Sequence, residues 1–246
     1  MTSAARILPV LSALAGVLLI AGCASSEPGS STPSSTPAAS SGSSGSAGGD
    51  ADLEATVLDD GRMFALITWG SSTLACVPQV GEVSANGQTV DVTLEDTAGE
   101  DQVCTADYSP RASVGALPEG VDPTKEITFN VTYGDVVDDV DADGDAAFAS
   151  APGSPTDYLP SAGWIDDGAL VLLTWGSSTC PPVVESLEGA GSAGTVTFVT
   201  DDTKACTMDM APRATIIAFG DDEVEDDAFT LTLVGGGLDG TVAVRG

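Results

Sequence analysis

One hexapeptide occurs twice in this chain, and its recurrence limits the fold more than any other feature. Thr68-Trp69-Gly70-Ser71-Ser72-Thr73 returns as Thr174-Trp175-Gly176-Ser177-Ser178-Thr179. Upstream, Leu58-Asp59-Asp60-Gly61 corresponds to Ile165-Asp166-Asp167-Gly168. Downstream, Cys104-Thr105-Ala106-Asp107 with Pro110-Arg111 corresponds to Cys206-Thr207-Met208-Asp209 with Pro212-Arg213. The offsets drift only from 165 − 58 = 107 to 213 − 111 = 102. Landmarks kept in order at nearly constant spacing mark a duplication. A period of about a hundred residues is far above solenoid repeat lengths, so the pattern predicts tandem domains.

Within each copy the apolar residues follow strand periodicities. Residues 63–68 form a nearly continuous apolar run, as does their counterpart at 170–174, and such runs predict buried strands. Residues 89–94 and 127–133 alternate apolar with polar, the pattern of a half-buried strand. Further strands are predicted at 113–117, 195–199, 215–219, 229–234 and 241–245. Asn86-Gly87 and the Gly235-Gly236-Gly237 run supply turn signals. No segment sustains a helical period. The prediction is an all-β protein with two tandem, small, disulfide-stapled sandwich-like or barrel-like modules, at residues 51–134 and 162–246. Residues 135–161, acidic and then rich in Pro and Ser, read as the linker between them.

Five cysteines are present, and four fall at equivalent places in the two copies. Each copy must have closed its own loop before duplicating. That selects Cys76–Cys104 and Cys180–Cys206 among the three pairings four cysteines allow. Each bridge should add about 3–4 kcal/mol on the chain-entropy model, a useful share for a module with a thin core. No Cys-x-x-Cys pair occurs, which argues against a thiolate zinc site and against a redox motif.

Seven Lys and Arg face 37 Asp and Glu, and there is no His. From Cys23 onward the balance is 6 − 37 = −31. Such a surface repels phosphate and offers no basic patch, so nucleic-acid binding is excluded, as is docking on anionic headgroups. Without His there is no Ser-His couple, so Ser71-Ser72 and Ser177-Ser178 read as turn-forming hydroxyls rather than nucleophiles. The alternating strands and helices of an importer's α/β receptor are also missing.

The N-terminus carries an address. One basic residue, Arg6, precedes an apolar run that is too short to span a bilayer, and the run ends in Leu19-Ile20-Ala21-Gly22-Cys23. This resembles the bacterial lipoprotein signal. The resemblance implies that residues 1–22 are removed and that Cys23 becomes the lipid-modified first residue, palmitate included. The folded part would then sit on the outer face of the cytoplasmic membrane, held by more than one acyl chain. The remainder of 23–50 is a disordered Ser/Gly/Pro tether with almost no apolar bulk, spanning roughly 30 Å.

Three groups of residues invite a chemical reading. Asp107 with Arg111, and Asp209 with Arg213, are four apart beside a cysteine, a spacing that predicts a salt bridge fixing the loop. Trp69 and Trp175 predict core packing near the bridges; two exposed coplanar indoles would instead form a sugar-stacking platform. Asp139, Asp141, Asp143 and Asp145, with Gly144, open like a calcium loop but lack the closing Glu, since position twelve is Ser150. A solvated acidic linker is the plainer reading of that run. The acids at 223–227 form a looser cluster.

The doubled hallmarks are similar to those of secreted domains of actinobacteria, a likeness that implies a cell-surface setting and brings no site residues with it. The expected function is therefore non-enzymatic: a lipid-anchored surface protein displaying two β-modules to a protein or wall partner, or serving the envelope structurally. A calcium-dependent module using the Asp-rich linker and a wall-directed hydrolase using carboxylates are the alternatives.

Overall fold

The structure, a computed structural model, describes residues 53–99, 101–201, 203–220 and 223–246. The expected signal sequence, its Cys23 and the expected tether lie outside the described residues. Among the described residues there is no α-helix, and both disulfides join the expected partners, with Cα–Cα distances of 6.0 Å for Cys76–Cys104 and 5.7 Å for Cys180–Cys206.

Among the described residues, fourteen strands follow one another in two matching sets. The first set is β1 (Glu54–Leu58), β2 (Met63–Gly70), β3 (Gln79–Asn86), β4 (Thr89–Glu95), β5 (Ser109–Ala116), β6 (Ile127–Tyr133) and β7 (Val136–Ala142). The second is β8 (Ser161–Asp166), β9 (Ala169–Gly176), β10 (Val184–Ala190), β11 (Ala193–Phe198), β12 (Ala211–Ala218), β13 (Thr230–Val234) and β14 (Gly240–Arg245). In the first repeat, β1-β2-β5 form one sheet and β3-β4-β6-β7 another. The second repeat keeps both orders, but a short parallel contact of β14 with β8 joins them into one seven-stranded sheet. Registers repeat as well: Trp69 lies opposite Pro110, and Trp175 opposite Pro212.

Burial explains the sequence pattern. In β4, Val90, Val92 and Leu94 point inward while Asp91 and Glu95 face solvent. They meet Phe64 and Leu66 of β2 and Phe129 of β6, so the two sheets of the first repeat close over one core. A second core fills the other repeat. The apolar runs of β2 and β9 have a different cause. Met63, Ala65 and Ile67 turn away from their own core and meet Val171 and Leu173 of β9 in a third core, between the repeats. A strand covered on both faces has no polar side to show. The two copies are therefore packed together rather than strung apart, and the described residues fall in one compact unit.

The linker expected at 135–161 is corrected on this point. Val136–Ala142 is β7, paired antiparallel with β6 from Ile127↔Ala142 to Tyr133↔Val136. Ala142 and Phe148 belong to the first core. At a sheet edge, outward carboxylates cost little and discourage further pairing, so an acidic composition does not preclude a strand.

The repeat corner and an acidic cleft

Each hallmark motif builds the same corner around its disulfide. In the first repeat the Ser71 and Thr105 hydroxyls are 2.8 Å apart, and the Ser72 amide donates to both carboxylate oxygens of Asp107 at 3.2 Å. Ser109 Oγ donates to the same carboxylate at 2.8 Å. In the second, Ser177 and Thr207 are 2.7 Å apart, and the Ser178 amide reaches Asp209 at 3.2 and 3.3 Å. Thr207 Oγ1 also donates to Asp209. Hydrogen bonds from Thr105, Ser72 and Ser109 hold Asp107 well below the ordinary carboxylate range. Those from Thr207 and Ser178 bring Asp209 to about 2.

The arginines do something other than the spacing predicted. Arg111 Nη1 donates to Cys76 O at 2.9 Å and Nη2 to Trp69 O at 3.3 Å. Arg213 repeats this on Cys180 O at 3.1 Å and Trp175 O at 2.8 Å. Among the described residues, neither pairs with its Asp neighbour; the ion pairs are Arg62 with Asp59 and Asp157, Lys125 with Asp122, and Arg245 with Asp145. Extended backbone is the reason. Arg111 lies within β5 and faces inward, whereas Asp107 precedes the strand and faces the Ser72 turn. The motif glycine makes room for the guanidinium: a Cβ on Gly70 would lie 2.6 Å from Arg111 Cζ, and one on Gly176 2.9 Å from Arg213 Cζ.

Trp69 and Trp175 are half-buried, so neither is an open platform. Trp69 stacks on Tyr108 at 5.6 Å, and Trp175 meets Tyr158 edge-on at 5.2 Å and packs on the third core. Both indole N–H groups are buried and have no hydrogen-bond partner among the described residues.

The Asp139–Asp145 run does not fold back as a loop. Asp139 and Asp141 project from β7, and Thr128 Oγ1 donates to Asp141 at 2.7 Å. Asp145 pairs with Arg245 at 3.4 Å. Among the described residues, no three His, Cys, Asp or Glu side chains converge as a metal site requires.

Two of these carboxylates contribute to a different place. Asp141 and Asp143 line a cleft of about 370 Å³ where the repeats meet, together with Asp166, Asp167 and Asp226 of the second repeat. Trp164 and Thr56 are also part of its lining. Trp164 Nε1 donates to Asp226 O at 3.3 Å and its ring meets Phe229 edge-on. Burial, and then repulsion from Asp167 and Asp227, push the Asp226 carboxyl up. The sequence marked Asp166-Asp167-Gly168 only as a repeat landmark and 223–227 only as an acid cluster; nothing in it showed that the turn, the cluster and β7 converge. Comparison with protein families, with curated proteins and with solved structures gives no match to this chain.

Proposed function

We propose that this is a non-enzymatic binding protein, displayed at the outer face of the cytoplasmic membrane through lipid on Cys23 and held off by its tether. One observation carries the reading. In both repeats the residues that could do chemistry spend their hydrogen bonds inside the corner: serine on threonine, aspartate on a serine amide, arginine on two carbonyls. A nucleophile needs a base and an open approach; here the hydroxyls brace a disulfide loop instead. What faces outward is acidic.

Each repeat is read as a two-layer sandwich, at 51–134 with β7 added and at 162–246. Antiparallel hairpins such as β3–β4 and β6–β7 favour this over a β-solenoid. The parallel contacts β4–β6, β11–β13 and β8–β14 are what a solenoid reading would rest on.

The test is on living cells. An alkyne fatty acid should label the wild-type chain and not Cys23→Ala. Crosslinking on the cell surface should then recover one reproducible partner with the anchored form. Labelling that survives Cys23→Ala overturns the anchor, and recovery of nothing overturns the binding role.

A further inference from the structure

The arginines of the two corners share equivalent carbonyl partners but keep different company. In the first repeat Tyr133, at the end of β6, donates its hydroxyl to Asp96 Oδ1 at 2.7 Å. Burial and then Asp96 push that phenol up, and Arg111 draws it down, so guanidinium, ring and carboxylate sit together. The strand registers carry these positions into the second repeat. Val92 pairs with Val131 as Val196 pairs with Leu233. Tyr133 therefore corresponds to Gly235 (235 − 133 = 102), and Asp96 to Thr200 (200 − 96 = 104). Counted back from the second cysteine of each copy, Gln102 corresponds to Lys204. Beside its arginine the second repeat thus lacks the ring and that carboxylate, and has a lysine in addition.

A cavity of about 430 Å³ lies among those positions: Thr200, Lys204 and Arg213 line it, as does Gly236 next to Gly235. Pro181, Val183 and Val199 give it apolar walls. Two of the five N–H donors of the half-buried Arg213 guanidinium are hydrogen-bonded among the described residues, to Cys180 O and Trp175 O. Its Nε is buried with no partner among them. Among the described residues neither Arg213 nor Lys204 makes an ion pair. Asp201 also lines the cavity, but its carboxylate accepts from the Thr203 amide and hydroxyl at 3.0 and 2.6 Å. A half-buried charge without a counter-ion carries a desolvation cost that a bound anion offsets.

We propose that this cavity binds a small aromatic carboxylate, its ring taking the part of Tyr133 in the first repeat and its carboxylate meeting Lys204 and Arg213. The apolar walls select a ring over a bare anion, and the two cations select a charged ring over a neutral one. In a chain with 37 acidic and 7 basic residues, two cations at one cavity are not what composition alone would bring together. The site goes beyond the surface-partner reading and stands apart from it, since crosslinking tests that reading separately.

The probe is phenylacetate, titrated into the full disulfide-bonded chain and followed by calorimetry and saturation-transfer NMR. Saturable one-to-one binding is expected. Phenylacetamide, which lacks the charge, and acetate, which lacks the ring, should each bind about tenfold weaker or more. Thr200→Asp puts a carboxylate at the place of Asp96 and keeps an acceptor for the Gly236 amide, which donates to Thr200 Oγ1 at 3.0 Å. It should weaken binding about tenfold or more. Lys204→Gln, the residue of the first repeat, should weaken it about fivefold. Lys125→Gln removes a lysine paired with Asp122 in the first repeat and should change affinity less than about twofold. Near-UV circular dichroism of all three should match wild type, so that a loss reports the site and not the fold. No saturation by about 10 mM phenylacetate overturns the inference. So does equal affinity for acetate, which would mean an adventitious anion site, and so does undiminished binding by Thr200→Asp. Equal loss in Lys125→Gln would mean diffuse attraction only and overturns it as well.

Discussion

At the scale of single residues, the guanidinium in each corner replaces the salt bridge that spacing suggested. Arg111 is 9% exposed and satisfies two carbonyls from different segments. Arg111→Met should therefore cost about 2–3 kcal/mol in urea unfolding, since it strands buried acceptors. A double-mutant cycle on Asp107 and Arg111 should give coupling under about 0.5 kcal/mol, because the two share no direct contact; a larger value would restore the bridge. Gly70→Ala should destabilise by about 1–3 kcal/mol through collision with the same guanidinium. Acid gives a third readout. Asp209 is depressed from 3.8 to about 2 in the folded protein, so its stabilising contribution is present above the unfolded carboxylate range and is lost as pH falls from about 4 to about 2. Protection of the Ser178 amide, normalised to its intrinsic exchange rate, should fall across that window. Constant protection would show that Asp209 does not hold that turn.

At the scale of elements, the sequence was legible where a strand has two different faces and where a cysteine has a duplicate. β4 and β6 alternate, and the structure places them as the pattern required. The disulfides followed from the duplication alone. β7 was misread because its inward apolar positions, Val140 and Ala142, are interleaved with Asp138, Asp139 and Asp141, a composition that an edge strand tolerates. β3 and β10 were missed for a related reason: most of their residues are exposed, so little apolar rhythm is left. The continuous runs of β2 and β9 were recognised as buried strands, but their meaning, a second covered face and hence a third core, needs the partner sheet to be seen. The corner showed only its residue types, since which carbonyl an arginine finds depends on strands far apart in sequence. Arg62 fastens the 149–157 segment to the first repeat through Ser150, Pro155 and Asp157. Arg62→Met should free that segment, and limited proteolysis should then cut between 149 and 160 several times faster than in wild type. Unchanged cleavage would show that the segment is held by other means.

At the scale of the whole molecule, the third core makes the repeats one thermodynamic body. Calorimetry should show a single transition with calorimetric and van't Hoff enthalpies in agreement. Ile67→Asp places a charge in that core and should split the transition or lower it by about 3–5 kcal/mol. Two independent transitions in the wild type would contradict the shared core. The meeting of the repeats also bears on descent. Thr56 and Gly163 are the same position in the two copies, 163 − 56 = 107 apart, and they touch: a Cβ on Gly163 would lie 2.1 Å from Thr56 Oγ1. Two identical subunits joined through this face could not both keep the threonine. Only after fusion into one chain can one copy hold the bulk while the other yields the space. The same freedom lets one turn keep an arginine after its glycine while its twin carries alanine there. Covalent linkage here is what permits a lineage to break its own symmetry.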